Sequence, residues 1–463
     1  MKWLSLIWIG VLTSCSSPDY KKPDIDVPKA WEQQGSQGPS IADQKWIVVF
    51  PIDELNTLII EALKNNSDLL IAAQRVEIVR AQYGISRSSL FPSLDANAAF
   101  VRQRAPGFNP EANQVSESAG LGLVSAAWEI DLWGKLRDQS EAARRDYLAN
   151  LALYQGAQVS LTAQVATLYL DVLDLDNQIR ISKRAIDFRK KGLRVNQSRF
   201  DAGIASILDV RQAESLLASA EQVFYEQERR LVLAENALSI LLGRNPGPIK
   251  RVVSLDTLNL PKEMYAGIPS ELIERRPDIL AAQEALTGAQ ANVSAAKKEF
   301  LPSISLTTSL GFASPALGAL FQGGRYAWSL QPSISTSIFN AGRIQFGVDI
   351  AESKQEALVQ EYKSKIRSAF KEVNDALNNI RNNEFERAAG ERVVQANTAR
   401  VRASRARYLS GISPFFEVLD AERQLLDSEI ILSQLKRATY QSGVQLYTAL
   451  GGGWNRSDFR ASP

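Results

Sequence analysis

Asp68-Leu69-Leu70, followed by Leu90-Phe91-Pro92-Ser93, returns as Asp278-Ile279-Leu280, followed by Phe300-Leu301-Pro302-Ser303, at an offset of 210 residues. The repetition runs on toward the end of the chain. Gly134 returns as Gly342, Arg199-Phe200 as Arg407-Tyr408, and Gly203 as Gly411. Val210, Ala213 and Glu214 return as Val418, Ala421 and Glu422, and Leu242-Gly243 returns as Leu450-Gly451. These later pairs share an offset of 208, so the second copy loses two residues between Ser303 and Gly342. Self-similarity on this scale is a statement about architecture. It predicts a fold with internal pseudo-symmetry and the same order of parts in each half.

Each half begins with a helical pattern, Ile52 to Leu90 in the first, which Pro92 ends. The period then changes. Leu94, Ala96, Ala98 and Phe100 alternate with smaller or polar residues, as do Gly122, Val124, Ala126 and Trp128. Alternation at period two predicts strands. Arg102 to Glu117, with Pro106, Gly107, Asn109 and Pro110, reads as the loop between them. In the second half Ile304, Leu306, Thr308 and Leu310 alternate, Gly311 to Gly324 forms a loop, and Trp328, Leu330, Pro332, Ile334, Thr336 and Ile338 alternate again. Pro332 has no N–H for a ladder, so a bulge or an unpaired donor is expected there. Phe100, Trp128, Trp328 and Phe339 stand near the expected interfaces.

The next segments are long. Gly134 to about Arg199 and Gly342 to Tyr408 contain no Pro. At about 1.5 Å per residue, some 65 residues span roughly 100 Å. Ser206 to Leu242 and Pro414 to Leu450 are expected to run back along them. Ala213, Leu217, Ala220, Phe224, Leu231, Ala234, Leu238 and Leu241 keep heptad spacing if Gln227 is counted in the seam. Ala421, Leu425, Leu432, Leu435 and Leu446 occupy matching phases, and Ile366, Phe370, Val373, Leu377 and Ile380 do the same. Sustained 3.5-residue spacing predicts coiled-coil packing.

Composition narrows the chemistry. The 463 residues suffice for two or three ordinary domains. Charge is nearly balanced, 53 basic against 51 acidic residues, net +2, which offers no field for nucleic acid. There is no His, so the commonest general base and metal ligand is missing. The single Cys is Cys15, which excludes intrachain disulfides and Cys-based metal sites. Lys2, the apolar run Trp3 to Leu12, and Leu12-Thr13-Ser14-Cys15 resemble a bacterial lipobox. Residues 1–14 are then a signal peptide, and Cys15 carries diacylglycerol and an N-acyl chain such as palmitate. Acyl chains bury methylene groups at roughly 0.8 kcal/mol each, enough for a stable anchor. The alternative is an ordinary signal peptide. Ser16 and Ser17, with no Asp beside Cys15, suggest sorting to the outer membrane. No later stretch offers about 18 uninterrupted apolar residues. If the mature chain crosses a membrane, it must do so as a closed barrel.

Together these parts resemble the outer-membrane efflux channels of the TolC type, in the lipoprotein branch that includes OprM. The resemblance covers nearly the whole mature chain. It rests on the lipobox with Pro18-Asp19-Tyr20, on Asp131-Leu132-Trp133-Gly134-Lys135 and Phe339-Asn340-Ala341-Gly342-Arg343, on Arg275-Arg276-Pro277-Asp278-Ile279, and on the paired Arg-aromatic-x-x-Gly turns. It implies an α+β membrane protein that forms a homotrimer, each protomer giving four strands to a shared twelve-stranded β-barrel above a coiled-coil α-helical periplasmic tunnel. A mixed equatorial belt would be wrapped by Pro28 to Leu55, Gly243 to Pro269 and Gly452 to Pro463. The expected organisation is a lipidated extended segment at 15–55, a first repeat at 56–243 and a linker at 244–269. A second repeat at 270–451 and a tail at 452–463 complete it.

The family is a passive exit duct of tripartite pumps, without catalytic residues, metal or cofactor. Its partners are a periplasmic adaptor, an inner-membrane RND-type pump and outer-membrane lipid. Carried over residue by residue, the resemblance puts the periplasmic gate at the hairpin ends. Gly203 and Gly411 are the hairpin turns, and Gly134 and Gly342 the strand–helix junctions. Glu417 and Asp420 match the family's acidic constriction, with Asp209 at a matching depth on the other hairpin. In a trimer each becomes a ring of three carboxylates, whose pKa values like-charge proximity should raise. The competing reading of these acids is a solvated helix end. Tyr408 matches the family's gate Tyr, while the position of its gate Arg holds Ser413. Phe415 and Phe416 are then candidates for closing the tip by apolar contact. A type I protein-secretion duct and a lipid-anchored coiled-coil envelope scaffold stay as alternatives. A carboxylate hydrolase is weakly supported by two acids three residues apart.

Overall fold

The computed structural model describes residues 23, 25, 27–31, 38–104, 115–258, 264–320 and 322–454. Cys15, its lipobox, most of the first interstrand loop and the tail from residue 455 lie outside them. The chain divides into two compact units. One contains Arg75–Leu151 and Ala281–Lys363, the other Ile25–Gln74, Ala152–Leu280 and the chain from Ser364 onward.

The first unit holds the sheet. Strands β1 (Ser93–Arg104), β2 (Val115–Glu129), β3 (Ser303–Ser314) and β4 (Tyr326–Ser335) pair antiparallel in the order β1-β2-β3-β4. The register sets Leu94 opposite Ala126, Trp128 opposite Leu306, Val124 opposite Leu310, and Leu310 opposite Trp328. Ile304 faces Ile334, and Phe312 faces Tyr326. These residues share one face. Its apolar side chains are open to the surroundings, with Leu94, Trp328 and Ile334 each at least 70% exposed. The other face carries Asp95, Asn97, Ser125, Ser305, Thr307, Ser309, Ser329, Gln331 and Ser333. There Ser305 and Ser333 hydroxyls meet at 2.7 Å, as do those of Ser309 and Ser329. An apolar face backed by a hydroxyl-lined one is the pattern of a barrel wall between lipid and water.

Pro332 does not produce a bulge. It pairs in register with Leu306, and the register shifts fall at Asn97/Ala99 and Leu121/Val124. The physical reason is its place on β4, an outer strand of the protomer's sheet, where a missing N–H need not interrupt the ladder to β3.

The helix expected from Ile52 to Leu90 is two helices. A short turn Ile41–Asp43 and α1 (Trp46–Val49) precede α2 (Asp53–Asn65), and α3 (Ser67–Ser88) follows. The break is at Asn66, whose Oδ1 accepts from Leu69 N at 3.0 Å. In the second half α6 (Pro269–Arg275) and α7 (Pro277–Lys298) break at Arg276, the residue equivalent to Asn66.

The long helices are α4 (Lys135–Asp201) and α8 (Arg343–Leu409), 67 residues each. The returning helices α5 (Ile207–Leu241) and α9 (Phe415–Ala449) have 35 each. Both breaks reach the end of a returning helix. Asn66 Nδ2 donates to Leu241 O at 3.0 Å, and Arg276 Nη1 donates to Ala449 O at 2.9 Å. Helix C-termini leave carbonyls without partners, and the duplication satisfies them with different side chains. Arg276 also pairs with Asp278 and Glu372.

Ala213, Ala220 and Gln227 recur every seven residues on α5 and are buried. Ile181, Ile186, Ala220 and Leu426 form one packed cluster from α4, α5 and α9. Gln227 belongs to a polar layer. Ser182 Oγ donates to its Oε1 at 2.5 Å, and its Nε2 donates to Gln178 Oε1 at 3.4 Å. Asn177 and Asp174 both bind the Ser433 hydroxyl. A buried polar layer inside an apolar seam fixes axial register.

Beyond α5 the chain is clasped to three helices. Arg251 pairs with Asp176 and Glu235, while Asp256 pairs with Arg180 at 2.5 Å and Lys436 at 2.7 Å.

Candidate functional site at the hairpin ends

Both hairpins stop in the same way. After α4, Gly203 has φ +71°, Ile204 N donates to Arg199 O at 2.8 Å, and Gly203 N donates to Phe200 O at 2.9 Å. After α8, Gly411 has φ +73°, Ile412 N donates to Arg407 O at 2.9 Å, and Gly411 N donates to Tyr408 O at 3.0 Å. This is the Schellman arrangement, which needs a left-handed residue. A Cβ at either Gly would meet nothing within 4 Å, so the requirement is conformational alone. Gly203→Ala and Gly411→Ala are each expected to cost about 1 kcal/mol. Denaturant titration of the purified protein checks this.

The other two glycines picked from the sequence sit at the strand–helix junctions, Gly134 with φ +81° and Gly342 with φ +84°. Asp131 fixes the first junction, accepting from Leu136 N at 3.1 Å and Arg137 N at 2.9 Å.

Tyr408 and Phe415 come together. They pack with Ala213 and Val418 in one buried cluster, with ring centres 5.0 Å apart. The Tyr408 hydroxyl donates to Asn196 Oδ1 at 2.6 Å, and Asn196 donates in turn to Gly192 O at 3.1 Å. Asn196 is 1% exposed, so this is a buried link from the second hairpin to the first. The Arg199 guanidinium lies 4.9 Å from the Tyr408 ring centre. Burial, and then the Asp209 carboxylate, push the Tyr408 hydroxyl's pKa up. Arg189 makes a second link, donating to Leu216 O at 2.9 Å and Glu422 O at 3.5 Å.

The acids sit differently. Glu417 pairs with Arg407 at 3.5 Å and is half-buried. Asp420 pairs with Arg400 at 2.5 Å and Arg423 at 3.2 Å, and accepts from Gln424 at 3.1 Å. Asp209 is half-buried in the first turn of α5, while Phe416 is exposed. Ser413 is buried, and its hydroxyl has no partner.

The expected rise belongs to a ring of three carboxylates, whereas within one protomer Asp420 stands beside a cation. The hydrogen bond and charge of Arg400 hold its carboxyl below the usual range. A carboxylate with a depressed pKa contributes stability above its unfolded value, near ~3.9. That contribution is lost as pH falls through the folded value. The Asp420–Arg400 link should therefore hold from about pH 8 to about pH 5 and fail only below about pH 4. Single-channel recordings across that range are expected to show no Asp420-dependent transition. A midpoint near pH 6 that Asp420→Asn removes would mean that like-charge repulsion dominates.

Sequence reading missed Arg400, Asn196 and the Arg405–Glu422 pair, which closes at 2.8 Å, and took Arg407 only as part of the turn motif. A signal for the Arg–acid pairs existed. In an antiparallel hairpin turning near Gly411, partners lie about equally far on either side of the turn, as Arg400 and Asp420 do. Nothing in the sequence marks Asn196, whose partner is in the other repeat.

A duplicated chain with a two-faced four-stranded sheet and paired long helical hairpins is an outer-membrane channel of the TolC type. The outer membrane efflux protein family matches residues 58–244 and 268–452, and the chain belongs to that family. It is 35% identical over 458 residues to the probable efflux pump outer membrane protein TtgC of Pseudomonas putida, covering 96% of this chain and 94% of that one. It is 34% identical over 451 residues to the cation efflux system protein CusC of Escherichia coli, covering 96% and 97%. Its fold matches the open state of the Neisseria gonorrhoeae MtrE outer membrane channel with a TM-score of 0.86 at 32% identity, covering 96% of this chain and 99% of that one. The protein is thus an efflux channel of the outer membrane.

Proposed function

We propose that three copies close their sheets into one twelve-stranded barrel and conduct small molecules, drugs and toxic compounds among them, passively out of the cell. The observation that carries this reading is the sheet itself. It has an apolar face, a hydroxyl-lined face, and outer strands β1 and β4 left to pair. An open sheet edge cannot lie in lipid, because its N–H and C=O groups find no partner there. Three-fold closure removes both edges. A scaffold gives no reason for such a sheet.

On this reading Cys15 carries the lipid anchor and the protein performs no chemistry. A periplasmic adaptor and an inner-membrane RND-type pump deliver the cargo. Exposed apolar residues at the hairpin ends, Ile204, Leu208, Leu409, Ile412 and Phe416, support docking of the adaptor there. Tyr408, Phe415, Phe416, Asp209, Glu417 and Asp420 form the gate region, with the Tyr408–Asn196 link as its tie. One relative is named as the outer membrane protein of a toluene efflux pump and another as a cation efflux system protein, so both cargo classes belong in the test.

The test is a susceptibility and dye-retention panel on a strain lacking the gene, with and without the gene restored. It includes solvents, antibiotics, cationic dyes and copper or silver salts. Gene-dependent loss of retained compound is expected for at least one class. No effect on any class would favour protein secretion.

A further inference from the structure

We propose that a pocket between the two hairpins, beside the Tyr408–Asn196 bond, binds a small aromatic carboxylate. Its volume is about 180 Å³, and Tyr408 and Asn196 are both in its wall. An apolar cavity of about 150 Å³ can hold one benzene ring, so this space takes a ring with one small substituent. Both hairpins supply apolar wall, Phe188, Leu193 and Leu216 from the first, Phe415 and Val418 from the second. Gly192 helps to make the space. It lies inside α4, where a Gly costs about 1 kcal/mol against Ala. A Cβ there would meet nothing within 4 Å, so its missing side chain leaves the pocket open.

Charge selects the substituent. Arg189, Lys191 and Arg405 line the pocket against one acid, Glu422. That acid is taken, since Arg405 donates to its Oε1 from Nε at 3.1 Å and from Nη2 at 2.8 Å. Arg189 is the group left short. It is 4% exposed, yet its only hydrogen bonds among the described residues go to two backbone carbonyls, Leu216 O at 2.9 Å and Glu422 O at 3.5 Å. The second is at the limit of a hydrogen bond. Its Nε–H makes no bond and is not sealed from solvent, so it is open to the pocket it lines. Burial pushes its pKa down, and the Glu422 and Asp427 carboxylates pull the other way. A buried cation normally has a counter-ion. An inorganic anion would answer Arg189 and leave the apolar wall wet. A neutral hydrocarbon would cover the wall and leave the guanidinium unpaired. A carboxylate on a ring does both, through a charge-assisted hydrogen bond. Phe188, Tyr408 and Phe415 favour a flat ring by edge and face contacts.

The experiment follows binding to the purified full chain in a neutral detergent by fluorine NMR. The probes are para-fluorobenzoate, para-fluorobenzyl alcohol, which has the ring without the charge, and fluoroacetate, which has the charge without the ring. Para-fluorobenzoate is expected to bind saturably and at least tenfold tighter than either of the others. Arg189→Gln removes the cation and is expected to weaken that binding at least tenfold. This change also removes a link between the hairpins, so Gly192→Leu is the second variant. It keeps Arg189, favours the helix and fills the pocket, and it is expected to abolish binding without lowering the unfolding temperature. No saturable binding of para-fluorobenzoate, equal binding of the alcohol or of fluoroacetate, or undiminished binding by Gly192→Leu would overturn the proposal. The measurement needs neither pump nor membrane, so its failure leaves the duct reading untouched.

Discussion

Leu330→Arg is expected to abolish insertion into the outer membrane, while Ser329→Arg leaves insertion intact. Leu330 lies in the middle of β4 on the apolar face, between Trp328 and Pro332. It is 58% exposed in the protomer. An Arg facing lipid near the bilayer midplane costs about 2–4 kcal/mol. A symmetric assembly incurs that cost once per copy, which approaches the whole stability of a typical fold, about 5–15 kcal/mol. Ser329 is the next residue, on the opposite face, where its hydroxyl meets that of Ser309. An Arg there enters a water-filled lumen and adds a positive ring that reduces cation flux. The check is the amount of heat-modifiable oligomer in outer-membrane fractions. Equal amounts for both variants would mean that the apolar face does not meet lipid.

Tyr408→Phe is expected to raise channel open probability by about tenfold. The Tyr408–Asn196 bond joins the two hairpins, whereas the Asp420–Arg400 and Glu417–Arg407 pairs lie within one hairpin. Relative movement of the hairpins must break the first and can preserve the others. Removing the hydroxyl leaves Asn196 Oδ1 buried without a donor, a penalty of about 1–3 kcal/mol in the closed arrangement. Each ~1.4 kcal/mol of differential stability shifts a two-state equilibrium tenfold. The double variant Asp420→Ala with Glu417→Ala is expected to raise conductance less than Tyr408→Phe raises open probability. Single-channel recording reads both, and the reverse order would make the acids the principal lock.

The sequence carried most of this architecture because its strongest signals are long. A duplication, heptads on α5 and α9, and period-two segments with aromatic ends each repeat enough times to be read locally. The Gly203 and Gly411 turns were legible because the left-handed conformation selects Gly. What escaped was nonlocal. The helix break at Asn66 shows no Pro or Gly, and it arises because Asn66 caps α3 while reaching Leu241 across the fold. Pro332 looked disruptive because its neighbours within one chain do not reveal which strand is outermost. The depressed pKa of Asp420 depends on Arg400, which lies on the facing helix and not beside it in sequence. Such pairings follow from how helices are brought together, and single-segment periodicity does not encode them.

The central claim is that three copies close one barrel by pairing β4 of each protomer with β1 of the next. Disulfide cross-linking tests it directly. Cys15 is the only cysteine, so introduced pairs have little background. Ala98→Cys on β1 can be combined in turn with Trp328→Cys, Leu330→Cys or Pro332→Cys on the same face of β4. Oxidation of intact outer membranes, followed by denaturing electrophoresis, gives the answer. At least one pair is expected to yield a covalent trimer and nothing larger. Ladders beyond the trimer, or monomers alone for every pair, would contradict the account.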